Sequence, residues 1–537
     1  MEIVQKLFKT ENKRWLLVSL IVSTILLAPL VLLFVNIFNI DGSAFLYLWN
    51  NLLLEYSLNT VYLIFITSIV SLFFGVIPAW FISNYAFRFR RFFDIALYLP
   101  LAIPTYIMAF TYSDILSFTG PLQSFLRAKA PSVSNIFNLD YLQIEVLGII
   151  LGLSLYPYIY TACRLSFSLI GSTYINMSKS LGLSGLKLFY KVVLPLSKPA
   201  IFSGLFLVIM EVLNEYGAVK YFGVNTYTTG IFRAWFSMGN ESTAIQLACL
   251  LLFIVFFFLF VQKTIAKKTK FYYSKNSATQ KLSPLNKNKR FYAYFSCLVP
   301  FVLGFAIPLT YILFNFFYNF NDINFSKLLS LSANSISVST IASLIIICVA
   351  ILFLYVEKIS KLTINKTLNQ ITSLGYVVPG AVIGLAIILL FTKTPFLQSF
   401  SLVGSFSVLI YAYVFRFLAV GKSPIKSSLE KHPDSFDETA KTLGLGPFNI
   451  LRKIHFPINK LALIIAFIVT FVDLLKELPI TLILRPFNFD TLATQTYQFA
   501  IEEMMVDSAV YSLAIIIIGT IMLVLLKSMV NKQINAS

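Results

Sequence analysis

Residues 174–199 read YINMSKSLGLSGLKLFYKVVLPLSKP, and residues 436–460 read FDETAKTLGLGPFNILRKIHFPINK. Both stretches are polar and basic, yet each lies between two strongly apolar runs. Each is therefore predicted to be a cytoplasmic loop that carries its own short helix. The two stretches superpose at one offset, because Gly182 and Gly444 are 262 residues apart and a proline follows each glycine by 13 residues. We call them the first and the second docking element.

The composition is that of a membrane protein. Hydrophobic residues make up 58% of the chain, charged residues make up 12%, and the mean hydropathy is +0.81; soluble domains have about 25% charged residues. A helix needs about 20 apolar residues to cross ~30 Å of hydrocarbon, and lipid offers no partner to an unpaired backbone group. Twelve helical spans are predicted at residues 15–38, 58–83, 93–113, 144–169, 200–222, 244–261, 291–316, 335–356, 371–391, 402–420, 461–484 and 508–530.

The basic residues predict the orientation of the chain. Most of the 42 Lys and Arg residues fall on one side if both termini and both docking elements are cytoplasmic, and residues 262–290 hold nine basic and no acidic residues. The net charge of +19 then lies where the anionic lipids of a cytoplasmic membrane surface attract it. This distribution argues against nucleic-acid binding. The first apolar run is too long for the core of a signal peptide, so we expect it to be retained.

The two halves of the chain are repeats. Asn59 and Asn334 are 275 residues apart, as are Pro104 and Pro379. Six spans per repeat is an even number, so both copies enter the membrane in the same sense. The predicted fold is an all-α polytopic membrane protein with about 12 helices in two parallel six-helix repeats. Its predicted parts are a first domain at residues 1–261, a flexible basic cytoplasmic linker at 262–290 and a second domain at 291–537.

The docking elements are predicted to be rigid. A short helix, a glycine that turns the chain and a Leu-Pro or Phe-Pro that restarts it as the next span would form a knob fixed to two membrane helices. A single copy would suit an ordinary interfacial helix. Two copies with the same Gly-to-Pro spacing favour a role in transmitting force.

Four carboxylates lie inside predicted spans at matched positions of the two halves. Glu211 and Glu215 are in the fifth span, and Asp473 and Glu477, each 262 residues later, are in the eleventh. The spacing of four predicts that each pair shares one helix face. Two interpretations remain open: the carboxylates line a path for a hard cation such as Fe³⁺, or they form structural ion pairs. The candidate partners for ion pairs are Lys220, Lys476 and Arg485.

We predict no catalytic site, no metal site and no cofactor bound by this chain. Residues 421–423 read Gly-Lys-Ser, but a phosphate-binding loop needs glycine at position 416, where this chain has Arg416. A membrane helix also precedes the motif in place of a strand. His432 and His455 stand alone in the inner loop.

The docking elements resemble the signature of the membrane subunits of bacterial binding-protein-dependent ABC importers of type I, which is Glu-Ala-Ala, then Gly four residues on, then Leu-Pro. The second element matches as Glu438-Thr439-Ala440, Gly444 and Phe456-Pro457. The first matches as Asn176-Met177-Ser178, Gly182 and Leu194-Pro195, and departs at the three leading positions. The resemblance implies that each element is a coupling helix seated in a cytoplasmic ATPase subunit, two of which use ATP and Mg²⁺. The departure implies unequal contacts.

Nearly the whole chain resembles the fused double-length permeases of ferric iron uptake. The segments that carry this resemblance are RFLAVG at 416–421, KELPITLILRP at 476–486, NFDTLAT at 488–494 and TTGIFRAWF at 228–236. It implies a permease of the bacterial inner membrane that receives ferric iron from an extracytoplasmic binding protein. Permeases for thiamine, phosphonate and polyamines look similar. A secondary transporter also has parallel repeats, but needs no doubled docking element; a membrane enzyme is a weaker alternative.

Overall fold

The computed structural model describes residues 13–37, 42–132, 139–170, 174, 177–178, 180–183, 185–268, 282–285, 287–360, 362–433 and 435–536. This part of the chain is built of α-helices, short 3₁₀ and π segments, and one parallel pair of two-residue strands. The all-α prediction is therefore confirmed.

The described residues of the first half form twelve α-helices and one strand. They are α1 (Lys13–Asn36), α2 (Gly42–Asn51), α3 (Leu53–Asn84), β1 (Tyr85–Ala86), α4 (Arg90–Ala96), α5 (Thr105–Leu116), α6 (Pro121–Lys129), α7 (Ile144–Leu169), α8 (Gly185–Leu188), α9 (Leu194–Asn214), α10 (Gly217–Tyr221), α11 (Tyr227–Phe232) and α12 (Glu241–Lys268).

In the remainder, the part of the chain that the structure describes forms one strand and fourteen α-helices. They are β2 (Ser283–Pro284), α13 (Lys287–Phe301), α14 (Ile307–Tyr318), α15 (Phe325–Ser360), α16 (Thr363–Ile371), α17 (Gly380–Lys393), α18 (Pro395–Gln398), α19 (Phe406–Leu429), α20 (Ser435–Thr442), α21 (Pro447–Ile450), α22 (Phe456–Ile458), α23 (Lys460–Leu475), α24 (Pro479–Leu484), α25 (Leu492–Ile501) and α26 (Met505–Ala536).

The membrane spans correspond one to one with the twelve predicted. Within the described ranges, nine helices are long and apolar enough to cross a membrane, and three bent helix pairs raise the number to twelve. The chain is therefore a multi-pass membrane protein.

The third and ninth spans are broken, whereas we predicted continuous helices. The chain bends by 91° between Ala102 and Thr105 and by 111° between Tyr376 and Gly380. Pro104 and Pro379 stand at these breaks with extended backbone, at ψ of 143° and 144°. Proline lacks an N–H and disfavours helical geometry in the residue before it, so the prolines end one helix and begin the next.

The prolines of the docking elements do not begin a new helix, although we predicted that they would begin the next span. Pro195 and Pro457 lie in helical runs that begin earlier, directly after π segments at Phe189–Val193 and Leu451–His455. A π turn accommodates the proline ring, which would otherwise meet the carbonyl four residues earlier. In the second copy, the run bends by 76° between Ile458 and Lys460.

The predicted linker is partly structured. Helix α12 continues to Lys268, and α13 begins at Lys287. Between them, strand β2 pairs in parallel with β1, and the Tyr294 hydroxyl donates to the Arg88 carbonyl at 3.1 Å. Residues 269–281 lie outside the described part of the chain.

The contacts between helices define two compact units. Unit 2 comprises Asp41–Asn324 and Gln495–Thr520. Its centre is the pair α3 and α7, where the Thr67 and Ser71 hydroxyls donate to the carbonyls of Gly148 and Gly152 at 3.3 and 3.2 Å. Both glycines are needed for this approach, since a Cβ on either would lie within 3 Å of a side chain on α3. Helices α13 and α14 belong to this unit.

Unit 1 contains α1, Phe325–Thr494 and the part of α26 from Ile521. Helix α15 packs against α19 and α23, and α1 packs against α17. Trp15 meets Tyr355 edge to face at 5.7 Å between ring centroids, and the Tyr411 hydroxyl donates to the Ile25 carbonyl. Each compact unit thus holds the first helix of the other sequence half. The compact units differ in this way from the domains drawn along the sequence.

Candidate functional site

The two docking elements make the same turn. Gly182 and Gly444 have φ of +80° and +77°, in the left-handed region that favours glycine. In the second copy, the Gly444 N–H donates to Lys441 and the Leu445 N–H to Ala440, which is a Schellman cap at the end of α20. In the first copy, the Leu183 N–H donates to the Ser178 carbonyl at 2.9 Å in the same way.

The turn presents an exposed leucine in each copy. Leu181 is 80% exposed and Leu443 is 75% exposed. The residue four positions before the glycine faces inward in both copies, since Ser178 and Ala440 are buried. A knob with a buried base and an apolar tip is suited to seat in a groove of another protein.

Most of the other predicted coupling residues are accessible at the surface. Met177, Glu438, Thr439 and Pro457 are exposed, and Pro195 is half-buried. Asn176 lies outside the described residues. The comparison of an acidic with an amide side chain at these matched positions thus stays a prediction.

The second element is also held by an ionic cluster that the sequence did not reveal. The Asp437 carboxylate on α20 lies 3.2 Å from Lys358 Nζ on α15 and 2.6 Å from His455 Nε2. The Tyr355 hydroxyl donates to the Pro447 carbonyl at 2.6 Å. We predicted that His455 stands alone, and this was wrong. Its ring contacts Asp437 and so connects the π segment Leu451–His455 to helix α20. Ile175 and Val193 occupy the matched positions in the first element, so this cluster is specific to the second.

The acidic pairs are not on continuous helix faces. Helix α9 ends at Asn214 and α23 ends at Leu475, so Glu215 and Glu477 lie in the breaks beyond them, where we predicted uninterrupted spans. A polar side chain beyond a helix end can satisfy free backbone groups of the next helix. In the two halves, the Ala218 N–H donates to Glu215 Oε1 at 3.0 Å and the Ile480 N–H donates to Glu477 Oε1 at 3.1 Å.

The two buried glutamates have different side-chain partners. Glu215 accepts a hydrogen bond from the Thr105 hydroxyl at the start of α5. Glu477 lies 3.7 Å from Arg416 Nη1, and both side chains are about 95% buried. A Cβ on Gly380 would lie 2.4 Å from Arg416 Nη1, so the glycine leaves room for the guanidinium.

The other two predicted carboxylates, Glu211 and Asp473, are less buried than Glu215 and Glu477. Asp473 pairs with Lys476 at 3.0 Å, and Arg485 pairs with Asp490. The Tyr158 hydroxyl donates to Glu211 at 3.4 Å. Asp473 thus pairs with Lys476, one of the three candidate partners, and Glu477 pairs with Arg416, a partner that we did not predict.

Metal-binding clusters of the usual kind are not found in the described ranges. There, no three or more His, Cys, Asp and Glu residues are arranged to hold an ion. The described geometry thus offers exposed docking surfaces and buried carboxylates in helix breaks.

A twelve-span helical fold with a doubled docking element defines a membrane transport component. The profile of the family described as "Binding-protein-dependent transport system inner membrane component" matches residues 71–271 and 354–533. The chain belongs to this family, and its role is transport across the membrane.

Individual relatives support this assignment. The chain is 26% identical over 476 residues to the "Fe(3+)-transport system permease protein FbpB 2" of Haemophilus influenzae. The aligned region covers 87% of this chain and 88% of the relative. It is 29% identical over 163 residues to the "Sulfate transport system permease protein CysT" of Salmonella typhimurium, covering 30% of this chain and 56% of the relative. A probable sulfate permease of Chlorella vulgaris is 28% identical over 164 residues, covering 30% and 58%.

Proposed function

We propose that this chain is the permease subunit of a bacterial ABC importer for ferric iron. The observation that carries the importer function is the pair of docking elements, each with the same left-handed glycine turn and the same exposed leucine. Such a pair suits a symmetric partner that pushes on both elements together. That partner is a dimer of cytoplasmic ATPase subunits, which binds and hydrolyses ATP with Mg²⁺ while this chain binds no cofactor.

The proposed arrangement places the chain in the inner membrane with both termini in the cytoplasm. The basic residues around both docking elements support this orientation. Ferric iron then arrives on an extracytoplasmic binding protein. Closure of the ATPase dimer moves the docking elements and opens the path outward, and ATP hydrolysis returns it inward.

The buried carboxylate in the break of the fifth span supports a cation as the substrate. Glu215 has a hydroxyl and a backbone N–H among its partners, whereas Glu477 in the break of the eleventh span is paired with Arg416. A carboxylate near a path attracts a cation and repels an anion such as sulfate. The similarity to a ferric iron permease also extends over most of this chain, whereas the similarity to sulfate permeases covers about a third.

The partner is tested by purification. An affinity-tagged chain, extracted in detergent, should bring down an ATPase subunit that mass spectrometry identifies. We expect the ATPase to be lost from a variant that carries charged residues at both tips, Leu181→Asp with Leu443→Asp. Purification of the wild-type chain without any ATPase would contradict the importer function.

The substrate is tested by uptake. Proteoliposomes that contain the chain and its copurified ATPase, with the soluble binding protein outside, should accumulate radioactive iron only with ATP inside. Radioactive sulfate should not accumulate under the same conditions. Accumulation of sulfate in place of iron would reassign the substrate.

A further inference from the structure

Unit 2 contains a cavity with polar and apolar walls at the C-terminal end of α5, the end opposite Thr105 and Glu215. The cavity has a volume of about 20 Å³, which is room for about one water-sized group. The walls come from α5, α14 and α26, and the polar residues on them are Thr111, Asp114, Tyr311, Asn315, Ser508 and Ser512. The cavity is not one of the sites that we predicted from the sequence.

Every polar side chain in this cavity carries an oxygen atom that could bind a metal ion. The Tyr311 hydroxyl donates to Asp114 Oδ2 at 2.7 Å, and the Asn315 side chain hydrogen-bonds Tyr311 one helical turn away. Ser508 and Ser512, also one turn apart, are 95% and 98% buried. A carboxylate, a phenol, a carboxamide and hydroxyls form a ligand set that hard cations prefer over softer metals.

We propose that this cavity binds a hard cation, and that the ion is Fe³⁺ on its way into the path. The proposal rests on the proposed function, which places the far end of α5 at the extracytoplasmic side. The cavity is then an entry site that receives the ion before it reaches Glu215.

The polar character of α5 is not a requirement of the fold. Helix α17 occupies the matched position in the second half, 275 residues later, and Gly380 to Phe391 is GAVIGLAIILLF there. The α5 sequence, TYIMAFTYSDIL, has Thr, Tyr, Ser or Asp at six of the same twelve positions. Asp114 itself corresponds to Leu389. Because an apolar helix serves the second half, the polar side chains of α5 indicate a function present in one half.

Helix α5 joins the cavity to the buried glutamate. Thr105, which donates to Glu215, and Asp114 are nine residues apart, or about 14 Å along a helix. Between them, Phe110 contacts the rings of Tyr221 and Tyr497, with centroids 4.7 and 6.2 Å away. Two further phenol rings therefore lie beside α5 at Phe110, between Thr105 and Asp114.

Binding at this site exchanges a proton for the metal ion. As the bond from Fe³⁺ to the Tyr311 oxygen forms, the O–H bond breaks and its proton leaves to water through Asp114, to which the hydroxyl already donates. Asp114 then contributes its carboxylate as a second ligand. Iron remains ferric, and no electron is transferred.

The test uses the full-length chain in detergent, titrated with ferric nitrilotriacetate. Coordination of Fe³⁺ by a phenolate produces a visible charge-transfer absorption. We expect this absorption to saturate at about one iron per chain. Tyr311→Phe should abolish it, and Asp114→Asn should weaken the apparent affinity by at least roughly tenfold.

Tyr112→Phe is the matched control, because Tyr112 is also on α5 but its hydroxyl donates to the Leu303 carbonyl. This variant should keep the full absorption. Ser512→Ala is a second, milder change and should weaken iron binding without altering the absorption at saturation. No visible absorption in the wild type, or an unchanged absorption in Tyr311→Phe, would overturn the site.

Failure of the site and failure of the proposed function give different results. Iron uptake by wild-type proteoliposomes without any charge-transfer absorption would reject the cavity site and leave the ferric importer in place. The absorption without iron uptake would support the site and reject the proposed transport of iron.

Discussion

The left-handed glycines decide how the docking elements are built. Gly444 has φ of +77° and nothing lies within 4 Å of a Cβ placed on it, so the backbone angle alone restricts the residue. A β-branched side chain in this region costs roughly 1–3 kcal/mol. Gly444→Val should therefore distort the tip, block transport and weaken binding of the ATPase, although the protein still inserts. Copurified ATPase and ATP-driven uptake measure the effect.

Gly446 provides the control for this variant. It lies two residues further on, has φ of −70° and likewise has open space at the Cβ position. Gly446→Ala should leave both uptake and ATPase binding near the wild-type level. Wild-type uptake and binding in Gly444→Val would show that the coupling assignment is wrong.

The buried glutamates should respond differently to neutralisation. Glu477→Gln removes the carboxylate that pairs with the buried Arg416, and breaking such a pair costs about 3–5 kcal/mol. The yield of folded protein should fall first. The carboxamide in Glu215→Gln can still accept from the Ala218 N–H and can donate to the Thr105 hydroxyl oxygen, so the yield should hold while iron uptake per folded molecule falls.

The double variant, Glu215→Gln with Glu477→Gln, separates the two roles. Uptake is divided by the amount of monodisperse protein recovered. Normal uptake per molecule together with poor yield would remove both carboxylates from the path. Slow uptake at normal yield in Glu215→Gln alone would place that residue on it.

Residue spacing predicted the glycine turn but not the partners of the carboxylates. The 262-residue offset placed Gly182 and Gly444 at equivalent points because a turn is set by local geometry. Nearness in the sequence favours Lys476 as the partner of Glu477. Arg416 is far away in sequence, and its approach depends on the missing side chain at Gly380. Contacts of this kind arise only when the helices pack.

At the scale of elements, the second docking helix is fixed to its unit by charge. Asp437 joins α20 to Lys358 on α15 and to His455, and all three side chains are at least 86% buried. Asp437→Asn should loosen α20, since a charged hydrogen bond is lost in a buried place at a cost of about 1–3 kcal/mol. Faster amide hydrogen exchange in residues 435–442 and less transport per ATP hydrolysed are expected.

Asn449→Ala is the control for this prediction, because Asn449 is exposed in the same element. It should leave hydrogen exchange in α20 unchanged. If Asp437→Asn exchanges as slowly as the wild type, the ionic cluster does not hold the element in place.

The two elements should contribute unequally to coupling. Only the second retains an acidic residue at the first signature position, and Glu438 is exposed there for contact with a partner. Glu438→Ala should reduce ATPase activity stimulated by the permease more than Asn176→Ala does. Equal losses, or a larger loss in Asn176→Ala, would argue against unequal contacts.

The breaks within elements were only partly readable from the sequence. Pro104 and Pro379 stood out as a matched pair, and each does end a helix, yet hydropathy alone predicted spans that ran through them. The π segments before Pro195 and Pro457 could not be predicted from amino-acid composition. A π turn differs from an α turn only by about one extra residue.

At the scale of the whole molecule, the repeat was evident from sequence and the make-up of the compact units was not. Duplicated landmarks predicted twelve spans in two parallel sets. The neighbours of α1 were not predictable, because this helix is apolar on all sides and no polar face orients it. Packing, and not the residue pattern, assigns α1 to the unit that holds Phe325–Thr494.

This assignment predicts which helices should be destabilised by a substitution in α1. Leu33 on α1 is fully buried, and truncating such a leucine costs about 2–5 kcal/mol. Because α1 packs against α15 and α17, Leu33→Ala should speed amide hydrogen exchange in residues 325–360 and 380–393. Leu17→Ala is the matched control, since Leu17 on the same helix is 58% exposed. Faster exchange confined to residues 53–84 and 144–169 would instead place α1 with the first half, and the division into compact units would then be wrong.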